Sequence, residues 1–219
     1  MEQQLLEAVK NAQRCQRNWD FSKQVPQEHI DLLLEIAGTT PTKQNKEYYQ
    51  VAYTTDRDVI EDIYSLAYEP KDDPFWQKMN TQLRAQLLMM WFKWDEQMDD
   101  LTKGGDDFGE TYNPSINHEN TVMSVGICTG AVVMAANMLG YRTGFCQCVL
   151  PDAFRKYMLQ EFGIKQEKVN GALLGIGIPR ANEPHNKVFH DDGTVHWHKS
   201  ISTVDPKNIT VTRLQKTSK

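Results

Sequence analysis

The sequence predicts an α+β fold in which a central, mostly antiparallel sheet is flanked by helices. Helical and strand-like periodicities are mixed along the chain without a regular strand–helix–strand alternation, which disfavours a parallel doubly wound sheet. Asn120–Cys148 reads as a long apolar helix that stops at Gly140 and turns straight into a strand. Leu87–Phe92 is an unbroken apolar run that suits a buried strand, a helical segment being the alternative. A chain of 219 residues can bury one substantial core, so residues 1–219 are expected to form a single domain.

The elements follow in order. Leu5, Leu6, Val9 and Ala12 keep helical spacing over 3–13. A second helix is expected over 27–37, opened by Pro26 and Gln27, with Ile30, Leu33, Leu34 and Ala37 on one face and Gly38 as its stop. TTPTKQNKE then reads as polar loop, 48–54 as a strand, and 56–67 as a helix opened by Asp56. Pro70 and Pro74 bracket an irregular acidic link, and 99–116 reads as a mobile loop or lid. The long helix comes next, then a strand at 143–149, a helix at 152–162 after Pro151, and a core strand at 169–178. Residues 180–207 form an irregular excursion with four of the six histidines, and Asn208–Leu214 alternates as a strand.

The long helix carries no Asp, Glu, Lys or Arg between Val122 and Leu139, and small residues are threaded among large ones. A helix apolar all round must be buried on every side. Glycines within it weaken the helix by about 1 kcal/mol each relative to Ala, so they are expected to permit a close backbone approach, as when a second subunit packs there. It is long enough to span a bilayer. Ser124, Thr129, Asn137 and the glycines dilute it, however, and no basic anchor flanks it, so no membrane partner is expected.

Composition narrows the function classes. Charged residues make up 24% and hydrophobic ones 40%, with a net charge of −5, the balance of an ordinary soluble globular protein. The basic stripe of a nucleic-acid binder is missing. Four cysteines without paired spacing, and an N-terminus without an apolar run, place the protein in a reducing cytoplasm. No GxGxxG or P-loop pattern opens a helix. His196-Trp197-His198 sets two imidazoles on one face of a strand, but the spacings of His185, His190, His196 and His198 fit no familiar zinc pattern, and Gly193 reads as an Asp-Gly turn. No metal is therefore expected. Cys146-x-Cys148 is not a dithiol redox motif, and Phe75, Trp76, Trp91, Phe92 and Trp94 read as core and pocket lining.

Four segments, taken in order, carry a resemblance. QRCQRNW at 13–19 resembles an Arg-Arg-Ser-x-Arg-x-Phe motif, PTKQN at 41–45 a Pro-Ser-x-x-Asn motif, and the helix running into LGYRTGFCQC a dimer-interface helix followed by a flavin-edge strand. ALLGIGIPR at 172–180 resembles a strand ending in Gly-Tyr-Pro. All four belong to the nitroreductase family of FMN-dependent oxidoreductases, which the chain resembles over most of its length. The resemblance implies an intertwined homodimer with flavin pockets at the interface, each lined by both chains, and residues 208–214 reaching across to the partner. It implies FMN bound by Arg14, Cys15, Arg17, Pro41, Thr42, Asn45, Cys146, Gln147 and Cys148.

The residues suit that chemistry. Arginine holds a phosphate dianion bidentately, and Arg14 and Arg17 stand three apart, close enough to serve one site or the pyrimidine side of the ring. Backbone N–H groups at Gln147 and Cys148 fall where the family's strand meets flavin N5 and O4. Gln13 and Cys15 depart from the usual Arg and Ser. The family's closing C-terminal cation has no clean match: Lys199 is the first candidate and His198 the second. The implied activity is hydride transfer from NAD(P)H through FMN to a small electron-poor acceptor such as a nitroaromatic or quinone, in ping-pong fashion. The flavin carries the chemistry, so no catalytic side chain is named. Alternatives are a specialised family reaction (reductive dehalogenation or flavin breakdown), a non-catalytic FMN-binding or redox-sensing protein, and a dimer whose histidine-rich loop binds metal.

Overall fold

The structure, a computed structural model, describes residues 2–67, 79–93, 114–147, 149–164 and 169–198. Its elements are α1 (Glu2–Ala12), α2 (Gln27–Thr39), β1 (Tyr49–Thr54), α3 (Arg57–Ser65), β2 (Leu87–Lys93), α4 (Pro114–Met138), β3 (Arg142–Cys146), α5 (Pro151–Phe162), β4 (Val169–Gly177), β5 (Lys187–Phe189) and β6 (Val195–Trp197). β1 to β4 form one antiparallel sheet in the order β1-β2-β4-β3, with β5 and β6 as a separate hairpin. The mixed helix and antiparallel-sheet class is the one the sequence implied.

β2 and β4 occupy the middle of the sheet and are covered on both faces. Leu87, Met89 and Trp91, with Leu174 and Ile176, face Ile30, Leu33 and Ala37 of α2 and Cys128, Val132 and Ala136 of α4. Leu88, Met90, Phe92 and Leu173 face Ile60 and Ile63 of α3 and Phe154 and Met158 of α5. Both faces bury apolar side chains, so the period-2 alternation of a half-exposed strand is lost, and an unbroken LLMMWF is the consequence. Trp91 Nε1 donates to Cys128 Sγ at 3.3 Å, and that thiol donates to the Ala37 carbonyl at 3.5 Å, joining β2, α4 and α2.

Local signals explain the boundaries. Asp56 caps α3, its carboxylate accepting from Asp58 N at 2.9 Å and Val59 N at 3.4 Å. Gly140 adopts φ 91°, letting Tyr141 N return to the Ala136 carbonyl and end α4 where the sequence placed the stop. Gly38 does not stop α2. It lies inside the helix, which runs to Thr39, because Pro41 pushes Thr40 into an extended conformation and the Thr39 and Thr40 hydroxyls bond carbonyls of the last turn.

Other expectations are corrected. α4 begins at Pro114, so the last residues of the expected 99–116 loop are helical. β3 ends at Cys146 rather than 149, and Val149 forms only a bridge to Ala67. The 180–207 excursion contains the β5–β6 hairpin, turned at Gly193 with φ 81°. α4 is not buried on every side within one chain: Val122, Met123, Ile127 and Met138 are exposed, and among the described residues nothing beyond the helix's own backbone lies within 4 Å of where a Cβ on Gly126 or Gly130 would sit. By length and composition, His118–Met138 could cross a bilayer, yet Cys128, Val132 and Ala136 are fully buried in the protein core. The acidic link at 69–76, most of the 99–116 loop and the strand at 208–214 lie outside the described residues.

Candidate functional site

The segment after α1 is laid along the free edge of β3. Gln16 N donates to the Thr143 carbonyl at 3.0 Å, and Cys15 Sγ reaches the Phe145 carbonyl at 3.8 Å. Further on, Arg17 N donates to the His185 carbonyl and Asp20 N to the Ile178 carbonyl, each at 2.9 Å. Asn18 Nδ2 spans the carbonyls of Pro184 at 2.7 Å and Lys187 at 2.9 Å. The first, third and fourth sequence motifs therefore meet at one corner of the sheet.

A tight turn at Thr81–Arg84 completes this corner. Trp19 Nε1 donates to the Thr81 carbonyl at 2.8 Å, and the Thr81 hydroxyl donates to the Arg17 carbonyl at 2.7 Å. The turn can sit on the sheet because Gly144 and Gly175 are register partners on β3 and β4. A Cβ at Gly144 would lie 2.5 Å from Gln82 Cβ, and one at Gly175 would overlap the Gln82 carbonyl oxygen. Only glycine leaves room for that approach.

The two arginines of the motif do not share surroundings. Arg17 is 7% exposed, and its guanidinium donates to the Met79 carbonyl and to Gln82 Oε1. Its Nε is buried without a hydrogen-bond partner. Arg14 instead lines a cavity of about 470 Å³ with Gln16, Arg142 and the 179–186 loop. Spacing alone does not bring the two arginines to one point: Arg14 sits in the turn that closes α1, its N donating to the Asn11 carbonyl at 3.0 Å, whereas Arg17 belongs to the segment that follows along the β3 edge.

Charge follows burial here. His198 is pushed down to about 4, first by burial and then by the positive charge of Arg17, so it is neutral near pH 7. Arg142 is lowered by burial and by Arg14, with Glu7 acting in the opposite direction. His196 Nδ1 lies 2.7 Å from His190 Nε2, and among the described residues no three His, Cys, Asp or Glu side chains gather as a metal site.

The remaining candidates are placed as follows. Pro41, Thr42 and Asn45 form a short turn in which the Thr42 hydroxyl donates to the Lys46 carbonyl at 2.7 Å and Asn45 has φ 55°. Among the described residues no hydrogen bond links this turn to residues 13–19. Cys146 is buried and Gln147 exposed at the end of β3, while Cys148 and Lys199 lie outside the described residues. Sequence reading missed Gln82 and Arg142. Gln82 belongs to the polar run NTQLR just before an apolar strand, and Arg142 is a charge at the head of a core strand. Both irregularities were available as signals.

This fold, with an N-terminal basic segment on the β3 edge, defines a class, and comparison identifies it. The Nitroreductase family model matches residues 12–178, and the chain belongs to that family. Among solved structures it is similar to an Exiguobacterium sibiricum protein assigned as a nitroreductase and crystallised with FMN (TM-score 0.62, 18% identity, covering 80% of this chain and 88% of that one). It is also similar to a Staphylococcus epidermidis protein assigned as an NAD(P)H:FMN oxidoreductase (TM-score 0.59, 13% identity, 80% and 87% covered). Nitroreductase A from Vibrio parahaemolyticus is a further relative in fold (TM-score 0.62, 10% identity, 82% and 69% covered). No curated protein matches the chain.

Proposed function

We propose that this protein is an FMN-dependent oxidoreductase that takes hydride from NAD(P)H and delivers it to an electron-poor acceptor such as a nitroaromatic or quinone. The observation that carries the reading is the corner where residues 13–19 lie against the β3 edge, with a buried guanidinium at Arg17 whose Nε is unpartnered. An orphaned buried donor costs free energy unless something accepts from it, and an anionic or carbonyl-rich cofactor edge is such an acceptor. The residues fit FMN in kind. Arg17, held by Gln82, offers a polar contact at the pyrimidine side, Cys15 and Cys146 flank the strand end, and backbone N–H groups at Gln147 and Cys148 would serve the edge near N5. Bound there, FMN would supply the two-electron chemistry in ping-pong alternation between donor and acceptor.

The protein's own residues hold and orient. Arg17 sets positive potential where negative charge develops on reduction. Neutral His198 beside it adds no second cation, which leaves Lys199 as the first choice for a closing charge and His198 as a polar contact. Arg14 is assigned to the cofactor phosphate. Pro41, Thr42 and Asn45 are assigned to the partner's pocket across a homodimer, since no hydrogen bond among the described residues joins them to the segment at 13–19. The exposed apolar face of α4 (Val122, Met123, Ile127, Met138) supports that assembly, because such a patch is a poor water-facing surface. A cytoplasmic location accompanies this reading.

Visible absorbance is the test. A yellow protein whose acid-released cofactor chromatographs as FMN, and whose colour bleaches with NADPH under argon, supports the proposal. Recovery of FAD, or no flavin after reconstitution, refutes it; a yellow protein that no pyridine nucleotide bleaches is a passive flavin binder.

A further inference from the structure

The cavity beside Arg14 holds more positive charge than the described residues neutralise. It lies between the end of α1 at Asn11, the first residue of β3 and the 179–186 loop, with a volume of about 470 Å³. Three guanidinium-bearing residues, Arg14, Arg142 and Arg180, line it, and neither Arg14 nor Arg142 forms an ion pair among the described residues. Among the described residues Arg142 Nη1 donates to the neighbouring Tyr141 carbonyl at 3.0 Å. Arg14 Nε is buried and has no hydrogen-bond partner. The acid on the wall, Glu183, is held by Lys187 at 2.7 Å. Arg180 is turned to other work, its Nε donating to the Trp19 carbonyl at 3.3 Å and its guanidinium lying over the Phe189 ring.

Two like charges facing one polar cavity repel, and each disfavours the other's charged form. That repulsion is visible in Arg142, lowered by burial and by Arg14 and relieved in part by Glu7 on α1. A dianion placed between them would reverse the sign of the interaction. Asn182 and Asn186 also line the cavity and can donate amide hydrogen bonds to oxygen acceptors, Asn186 through the hydrogen not taken by the His198 carbonyl, and guanidinium pairs match phosphate oxygens bidentately. Gln13 stands where the resembled motif has its first Arg, so the motif itself brings one cation fewer.

We infer that Arg142 acts with Arg14 as a two-guanidinium clamp for a phosphate group in this cavity. The phosphate belongs either to FMN or to the pyridine nucleotide, and only that choice of source rests on the proposed function. The experiment is calorimetric titration of the full-length protein and its Arg142→Gln and Arg142→Lys variants with inorganic phosphate, FMN, riboflavin and NADPH. Loss of one charge-assisted contact is expected to weaken phosphate binding by about ten-fold or more, with Arg142→Lys recovering part of it. A selective loss for FMN, with riboflavin unchanged, makes FMN the source and shows that the variant still folds. A selective loss for NADPH makes the nucleotide the source. Equal affinities of wild type and Arg142→Gln for phosphate, FMN and NADPH overturn the clamp. Failure of wild type to bind either flavin would refute the proposed function, while the phosphate titration still decides the cavity.

Discussion

Removing Arg17 tests whether the corner is held together as described. In Arg17→Ala the Met79 carbonyl and Gln82 Oε1 both lose a charged donor inside a region where Gln82 is 1% exposed. Hydrogen bonds to charged groups contribute about 1.5–3 kcal/mol each. The folded protein is also relieved of a buried guanidinium whose Nε has no partner, which offsets part of that loss. A net destabilisation of about 2–3 kcal/mol follows, or roughly 5–10 °C in Tm for a chain of this size. The sharper measurement is a double-mutant cycle with Gln82→Ala, read by urea unfolding of flavin-free protein at one fixed concentration, since assembly would shift stability with concentration. The structure requires a coupling of about 1.5 kcal/mol or more between the two sites. Additivity to within about 0.5 kcal/mol would mean that Arg17 and Gln82 do not meet, and the geometry of the corner would be wrong.

Three further outcomes are expected. Gly175→Ala should destabilise by about 1–3 kcal/mol or abolish folding, since its Cβ meets the Gln82 backbone and no side chain can yield there; an unchanged Tm would contradict the glycine-lined contact. His198 should titrate near 4 by NMR and move upward in Arg17→Ala, though short of 6.5 because burial is the larger cause. Its lowered value makes stability complete above about pH 6.5 and diminishing as pH falls toward 4; for a half-buried group the loss is about 1 kcal/mol after solvent screening, and a His198→Gln variant with the same acid profile would contradict it. Gly130→Leu has open space in the single chain, so it should leave the monomer folded while breaking a homodimer packed on α4; light scattering that finds wild type already monomeric removes that interface.

Much of the fold was legible because its signals are local. Asp56, Gly140 and Pro151 punctuate helices through their own hydrogen bonds and dihedrals, and the LLMMWF run announces a strand with no solvent face. Gly38 misled because a glycine can end a helix without being obliged to; Pro41, three residues on, decided the boundary through Thr40. The apolar character of α4 was also plain in the sequence. Which of its faces meets this chain's own core was settled only by packing, through Cys128, Val132 and Ala136 at helical spacing against Trp91 and Leu174.

The candidate site divides along the same line. The motif at 13–19 named a segment that the structure lays along the β3 edge. It did not reveal that Arg14 and Arg17 part company, because that depends on an extended backbone pinned to β3 at Gln16 and on a turn around Gln82 that lies more than sixty residues away in the chain. Nor did it reveal Arg142, whose partner in charge is on another element. Local sequence determines which segments are helix, strand and basic arm; the juxtaposition of charges across elements belongs to the tertiary structure, because electrostatic interaction depends on distance in space and not on distance along the chain.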